Sequence, residues 1–535
     1  MRASRAVAAL AAAALSGTAY AQCEEVQPAQ YVGTPFDSSL ASTHDRSVKT
    51  FFKIRDPSGQ HVCTSDAAGD LSLLTFQSLN TTGGRPVDAD LRRAVIVIHG
   101  ARNDPWNYHA AMIQALQKVV EDTTISLDTV AITAPYFPND DDAGTGFPYN
   151  PDGATPAEKY PSPALAWYYD NWSGGANNEY PPNTQTVSGF DVLDQLIQWY
   201  GNKEQFPNIN QIVVSGHSMG AQMVNRFAAV GKTGAQLGVD TPVSYWIGDP
   251  NSMVWFSETR PLSTGKCPTG FDDWREGFDN YDSYGTPEST AMTYNTELVA
   301  SGREALLANY QSRTIAYARA TRDKGDYNPD KLCATYTTGA DRSERFFEFL
   351  KTFPPNCANP AGPCVTVDIV NSSHDAPTMF QDVSGRARLF RDNWDGTGSR
   401  AYDYGYPRYA EYDDPYPDPA LSSQPLIGTD TKVYAGNKVY KGCWTDVDNA
   451  QSVGALPVAA YLGADNSRVY CSNLCTQLGY TIAGISWQNC YCGNAMGSQS
   501  TQVVETSCAG ACPAAGAVGA CGGANRLSVF SSVGL

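Results

Sequence analysis

The sequence predicts an α/β fold, a mostly parallel sheet with helices on both faces, followed by a small disulfide-rich module. Three observations predict it. Short, wholly apolar runs alternate with longer segments of helical periodicity over the first two-thirds of the chain. A serine flanked by glycines sits at one junction between a run and a helix. Cysteines crowd near the C-terminal end. Six runs carry the sheet: Ala94–Ile98, Val130–Ala134, Gln211–Ser215, Val243–Ile247, Thr314–Arg319 and Val365–Val370. None alternates in and out, as expected of strands buried on both faces of a parallel sheet. Between them Tyr108–Val120, Phe190–Tyr200, Met219–Val230 and Arg342–Phe353 place apolar residues on one helical face. That alternation specifies helices layered on a sheet. Asp140–Asn183 and Asn251–Ala308 break the rhythm and are expected as loops or small helices over the C-terminal sheet edge, where ligands bind in such folds.

Residues 1–21 read as a secretory signal peptide. Arg2 and Arg5 precede the apolar Ala6–Leu15, and Ala19-Tyr20-Ala21 is a small-x-small cleavage site. No later stretch is long and apolar enough to span a membrane. Of 14 cysteines, six (Cys23, Cys63, Cys267, Cys333, Cys357, Cys364) are dispersed, and eight crowd between Cys443 and Cys521. In an exported chain this predicts disulfides rather than metal ligands, and no metal or organic cofactor is expected. The domains expected are 22–415, a Tyr-, Asp- and Pro-rich linker at 416–438, and the cysteine-rich module at 439–532. A formal net charge of −18 repels phosphate backbones, so nucleic acid is not an expected partner.

Chemistry centres on Gly216-His217-Ser218-Met219-Gly220, directly after the run Gln211–Ser215 and before a helical segment. A nucleophilic serine on such a strand-to-helix bend needs small neighbours, and the helix N-terminus aims N–H groups at developing negative charge. A serine needs a base. In the nucleophile–acid–histidine order of such sites, only His374 of the six histidines follows Ser218, in a loop after the last run. The acid is expected after Thr314–Arg319, where Asp323 is favoured over Asp326 on loop length, with Asp249 a third choice. Met219 and Ala101 are the expected oxyanion donors. His99 and His217 are expected to pack beside the turns.

On VIVIHG, GHSMG and SSHDAP, residues about 60–400 resemble the α/β-hydrolase superfamily, in particular secreted fungal esterase- or lipase-like members. The resemblance implies hydrolysis through an acyl-enzyme on Ser218. The polar Asp140–Asn183 segment leans toward a polar or polysaccharide-linked carboxylic ester. A lipase, a peptidase, or a non-catalytic wall-binding protein on the same scaffold are the alternatives. GCWTD, YCSNLC, YTIAGISWQNCYCG and CGGANRLSVF, from Lys441 to Phe530, resemble a WSC domain, a module with proposed carbohydrate binding. That resemblance implies four disulfides, where spacing alone leaves about a hundred pairings. It also implies a cell-wall glycan as partner, with Trp444, Trp487 and Tyr491 as candidate sugar-stacking residues. Asn80, Asn171 and Asn371 head N-glycosylation signals.

Overall fold

The computed structural model describes residues 46–54, 71–139, 142, 165–179, 186–285, 292–320, 323, 333, 337–339, 342–355, 364–370, 372–399, 434–435, 438–446, 454–464, 466–514 and 520–533. The expected signal peptide, most of the linker, Asp326 and Asn371 lie outside them. Among the described residues eight strands form the first sheet: β1 (Ser47–Ile54), β2 (Leu71–Ser78), β3 (Arg93–Ile98), β4 (Val130–Pro135), β5 (Gln211–His217), β6 (Val243–Gly248), β7 (Thr314–Ala320) and β8 (Val365–Val370). Their order is β1-β2-β4-β3-β5-β6-β7-β8. From β4 onward every pair is parallel, whereas β1–β2 and β2–β4 are antiparallel. This is an α/β-hydrolase sheet. All six predicted runs are strands of it.

β1 and β2 were not among the predicted strands, and their chemistry explains why. Lys49 and Lys53 in β1, and Thr75 and Gln77 in β2, interrupt the apolar run that marks a strand buried on both faces. An antiparallel edge tolerates that mixture.

Alternation along β3 shows how the sheet is covered. Ala94, Ile96 and Ile98 face one cluster, with helices α2 (Gly189–Gly201) and α3 (Met219–Val230) contributing Phe190, Leu193, Val224 and Phe227. Val95 and Val97 face the other, packed by Met112 and Leu116 of α1 (Pro105–Asp122). Local sequence sets the helix starts. Pro105 occupies the first turn of α1, where no N–H is needed. Ser188 and Asp191 form a reciprocal capping box on α2, with Ser188 Oγ accepting from the Phe190 amide and Asp191 Oδ2 from the Ser188 amide. Further helices are α4 (Arg303–Gln311), α5 (Arg342–Thr352) and α6 (Ala376–Gln381).

Among the described residues the C-terminal module is an antiparallel sheet of β9 (Lys438–Thr445), β10 (Val458–Leu462), β11 (Ile482–Ser486), β12 (Asn489–Gly493), β13 (Gln502–Val503) and β14 (Arg526–Ser531), in the order β10-β12-β11-β14-β9-β13, with the short strand Tyr434–Ala435 also paired to β9. One helix, α7 (Arg468–Gln477), is bound to it through disulfides Cys471–Cys490 and Cys475–Cys492. Cys443–Cys508 and Cys512–Cys521 complete a set of four. In the first domain Cys267 pairs with Cys333. No helix among the described residues is long and apolar enough to cross a membrane.

Candidate active site

Ser218 sits between β5 and α3 with φ 60° and ψ −120°, a conformation that costs a non-glycine residue about 1–3 kcal/mol and persists only when its surroundings enforce it. Two glycines make the bend sterically possible. A Cβ on Gly216 would lie 2.3 Å from the Gly220 carbonyl carbon, and a Cβ on Gly220 would lie 2.3 Å from the Ile98 carbonyl oxygen. The Ser218 amide donates to the Gly248 carbonyl at 2.9 Å, anchoring the turn to the end of β6.

Met219 opens α3, placing its amide at the helix N-terminus, and Ala101 lies in the exposed turn after β3. A Cβ on Gly100 would be 3.7 Å from Ser218 Cβ and 2.5 Å from the Tyr108 hydroxyl, so this turn closes on the serine. His99 holds the turn from beneath. Its Nδ1 bonds the Gly100 carbonyl at 2.9 Å, and its Nε2 accepts from the Phe137 amide at 3.1 Å. The ring lies 4.7 Å from Trp172, whose own ring stacks on Phe137. Burial pushes the imidazole down to about 4. An unfolded chain therefore takes up this proton first as pH falls. The stability held by neutral His99 is complete above about pH 6.5 and is lost progressively toward pH 4, about 3 kcal/mol in all. His99→Gln, which keeps an acceptor and a donor, should flatten the decline in melting temperature between pH 7 and 4. An unchanged decline would exclude His99 as its source.

His374 follows β8 in a short loop fixed by Asp375, whose carboxylate accepts from the Thr378 amide at 2.9 Å to cap α6. Its Nδ1 is 2.7 Å from Asp323 Oδ2, the geometry of a strong charge-assisted bond. Its ring lies against that of His217, centroids 4.4 Å apart, beside the serine. Among the described residues no hydrogen bond joins Ser218 Oγ to the imidazole. In unliganded sites such bonds are often long and tighten only when substrate binds.

Asp323 is buried and flanked by two guanidinium groups. Arg342 Nη1 approaches its carboxylate oxygens at 3.1 and 3.3 Å. Arg319 Nη1 reaches Oδ2 at 3.5 Å, and Arg319 Nη2 bonds the Asp323 carbonyl. Burial pushes the carboxyl upward, but the bond to His374 and the two arginines outweigh it and hold the group well below the usual carboxylate range. Arg319 also bonds Asp249 Oδ1 at 3.1 Å. Sequence reasoning missed both arginines. One signal was present: an arginine inside the buried run TIAYARA must find a charged partner.

His217, Asp249 and His374 offer ligand atoms within 4.8 Å of one another, as do Cys471, Cys475 and Cys490. The cysteines are bound in disulfides, and His374 Nδ1 is engaged with Asp323. The cysteine cluster is not open to a cation without breaking its disulfides.

The C-terminal module matches a known family: residues 440–523 fit the model of the WSC domain. This segment is a WSC domain. A putative fungistatic metabolite from Chaetomium globosum is 37% identical over 99 residues, covering 18% of this chain and 42% of that protein. A WSC domain-containing protein from Arthroderma benhamiae is 34% identical over 95 residues, 17% of this chain and 10% of its own length. The matches thus span less than half of either relative. Among solved structures, a poly(3-hydroxybutyrate) depolymerase from Bordetella parapertussis is 15% identical, with TM-score 0.37 over 68% of this chain and all of that one. An esterase from Pyrococcus furiosus is 13% identical, with TM-score 0.29 over 67% and 95%.

The three aromatic candidates of the WSC domain do not converge. Trp444 and Tyr491 are half-buried and pack on Ala455, Leu456, Ile482, Leu527 and Val529. Cys490 and Cys492, the neighbours of Tyr491, point to the opposite face, where they join α7. Trp487 lies apart at the β11–β12 turn, 45% exposed, with φ 50°. Of the glycosylation signals, Asn80 braces its own turn, Oδ1 accepting from the Thr82 and Gly84 amides. Asn171 is half-buried, with Oδ1 accepting from the Tyr284 hydroxyl at 3.1 Å, and Trp172 and Ser173 beside it are fully buried.

Proposed function

We propose that the protein is a secreted serine hydrolase of carboxylic esters, held at a polysaccharide or cell wall by its WSC domain. The observation that carries the reading is the 2.7 Å bond between His374 Nδ1 and Asp323, set beside a serine on a strained strand-to-helix turn. Ser218 attacks the ester carbonyl while His374 takes its proton and passes it to the departing alcohol. Asp323 stabilises the imidazolium, and the amides of Met219 and Ala101 receive the oxyanion. Water then repeats the sequence on the acyl-enzyme. No step requires a metal or organic cofactor. Trp444 and Tyr491 share one face of the WSC sheet and supply flat, half-exposed surfaces against which sugar rings can stack. Tethering raises the effective concentration of wall-bound ester at the catalyst without tight binding in the active site.

Fluorophosphonate labelling of the secreted protein, with the label located by peptide mass spectrometry, tests the reading. Label on Ser218 together with turnover of a short p-nitrophenyl ester is the expected result. Folded protein that neither labels nor turns over would overturn it and leave the WSC domain as the function. Wall-glycan sedimentation should fall at least about tenfold in Trp444→Ala/Tyr491→Ala, and stay unchanged if the half-buried pair is only core.

A further inference from the structure

Asp249 follows β6 and is wholly buried, in a left-handed conformation with φ 47°. Non-glycine residues rarely adopt this conformation, and Asp and Asn tolerate it best. Its carboxylate is held by one oxygen only. Oδ1 accepts from Arg319 Nη1 at 3.1 Å and from the Ala320 amide at 2.8 Å. Oδ2 has no hydrogen-bond partner among the described residues. It lies 3.9 Å from His374 Nδ1 and 3.8 Å from His217 Nε2, itself an unbonded buried atom. An unpaired oxygen on a buried carboxylate is costly, and such costs are retained at sites where the group has a role.

We propose, on the reading of Ser218 and His374 given above, that Asp249 is a second positioning carboxylate for the catalytic imidazole. Asp323 holds the Nδ1 proton at rest. Asp249 Oδ2 lies about 1 Å beyond hydrogen-bond reach of the same nitrogen and faces the charge that appears there when the imidazolium forms. Arg319 bridges the two carboxylates, at 3.1 Å from Asp249 and 3.5 Å from Asp323, and so lets two acids lie on one side of one imidazole without mutual repulsion dominating. The acid function is divided between the loops after β6 and β7. When Asp323 is lost, a small rotation of His374 gives Nδ1–H a ready acceptor.

The test is a double-substitution cycle in the full-length protein, with kcat, KM and melting temperature recorded for each variant. Asparagine suits both positions because it keeps shape, and at 249 it also keeps the tolerated backbone. Asp323→Asn should lower kcat about 100-fold, not the roughly 10⁴-fold seen where no second carboxylate stands by. Asp249→Asn alone should lower kcat no more than about threefold at unchanged KM. In the Asp323→Asn background the same change should cost at least about 30-fold. Equal factors in the two backgrounds, with the wild type active, would overturn the inference and leave the serine mechanism standing. A wild type that neither labels nor turns over would overturn both. A second readout requires no change at position 249. The downfield proton resonance of His374 Nδ1–H should persist in Asp323→Asn, and its loss there would also overturn the proposal.

Discussion

Ser218→Ala should fold with an unchanged or slightly raised melting temperature and lose ester turnover by at least about 10⁴-fold in kcat. The two halves of that expectation have separate causes. Removing the hydroxyl removes the proposed nucleophile. The backbone turn survives because it is enforced by Gly216, Gly220 and the Ser218 amide bond to Gly248 rather than by the side chain. KM should change little, since the hydroxyl contributes mainly to the step that forms the acyl-enzyme. A variant retaining more than about 1% of wild-type kcat would show that another group performs the attack.

Arg319→Met should lower stability by about 3–5 kcal/mol. The guanidinium is fully buried and joins two buried carboxylates, Asp249 and Asp323. Methionine fills much of the volume but leaves both acids facing each other with one countercharge, Arg342, beside only one of them. For a domain of this size the melting temperature should fall by about 5 °C. Activity should fall with it even below the melting transition, because the His374–Asp323 bond depends on an ionised, correctly placed carboxylate. A melting temperature within about 2 °C of wild type would show that the two acids find other partners.

How much of this could be read from sequence follows from where each signal lies along the chain. Ser218 was legible because its constraint is local: two glycines, one strand and one helix within a few residues. His374 was legible by elimination, since no other histidine follows the serine. The preference for Asp323 rested on loop length. The structure brings its carboxylate to His374, while Asp326 lies outside the described residues. What could not be read is convergence. Asp249 and Arg319 are 70 residues apart and meet only because β6 and β7 pair in parallel, with Gly248 opposite Ala318. No motif encodes such a meeting. His99 was expected only to pack beside its turn. The structure gives it both ring nitrogens engaged, because Phe137 arrives from the end of β4. In the WSC domain the cysteine pattern was legible, but the faces on which Trp444 and Trp487 lie depend on strand register.

The backbone contact at Gly220 has a practical consequence for anyone wishing to re-engineer the proposed site. With no room for even a methyl group between that residue and the Ile98 carbonyl, the serine turn and the β3 turn fit together as a key in a lock. A randomised library that includes Gly216 or Gly220 would spend most of its members on misfolded protein.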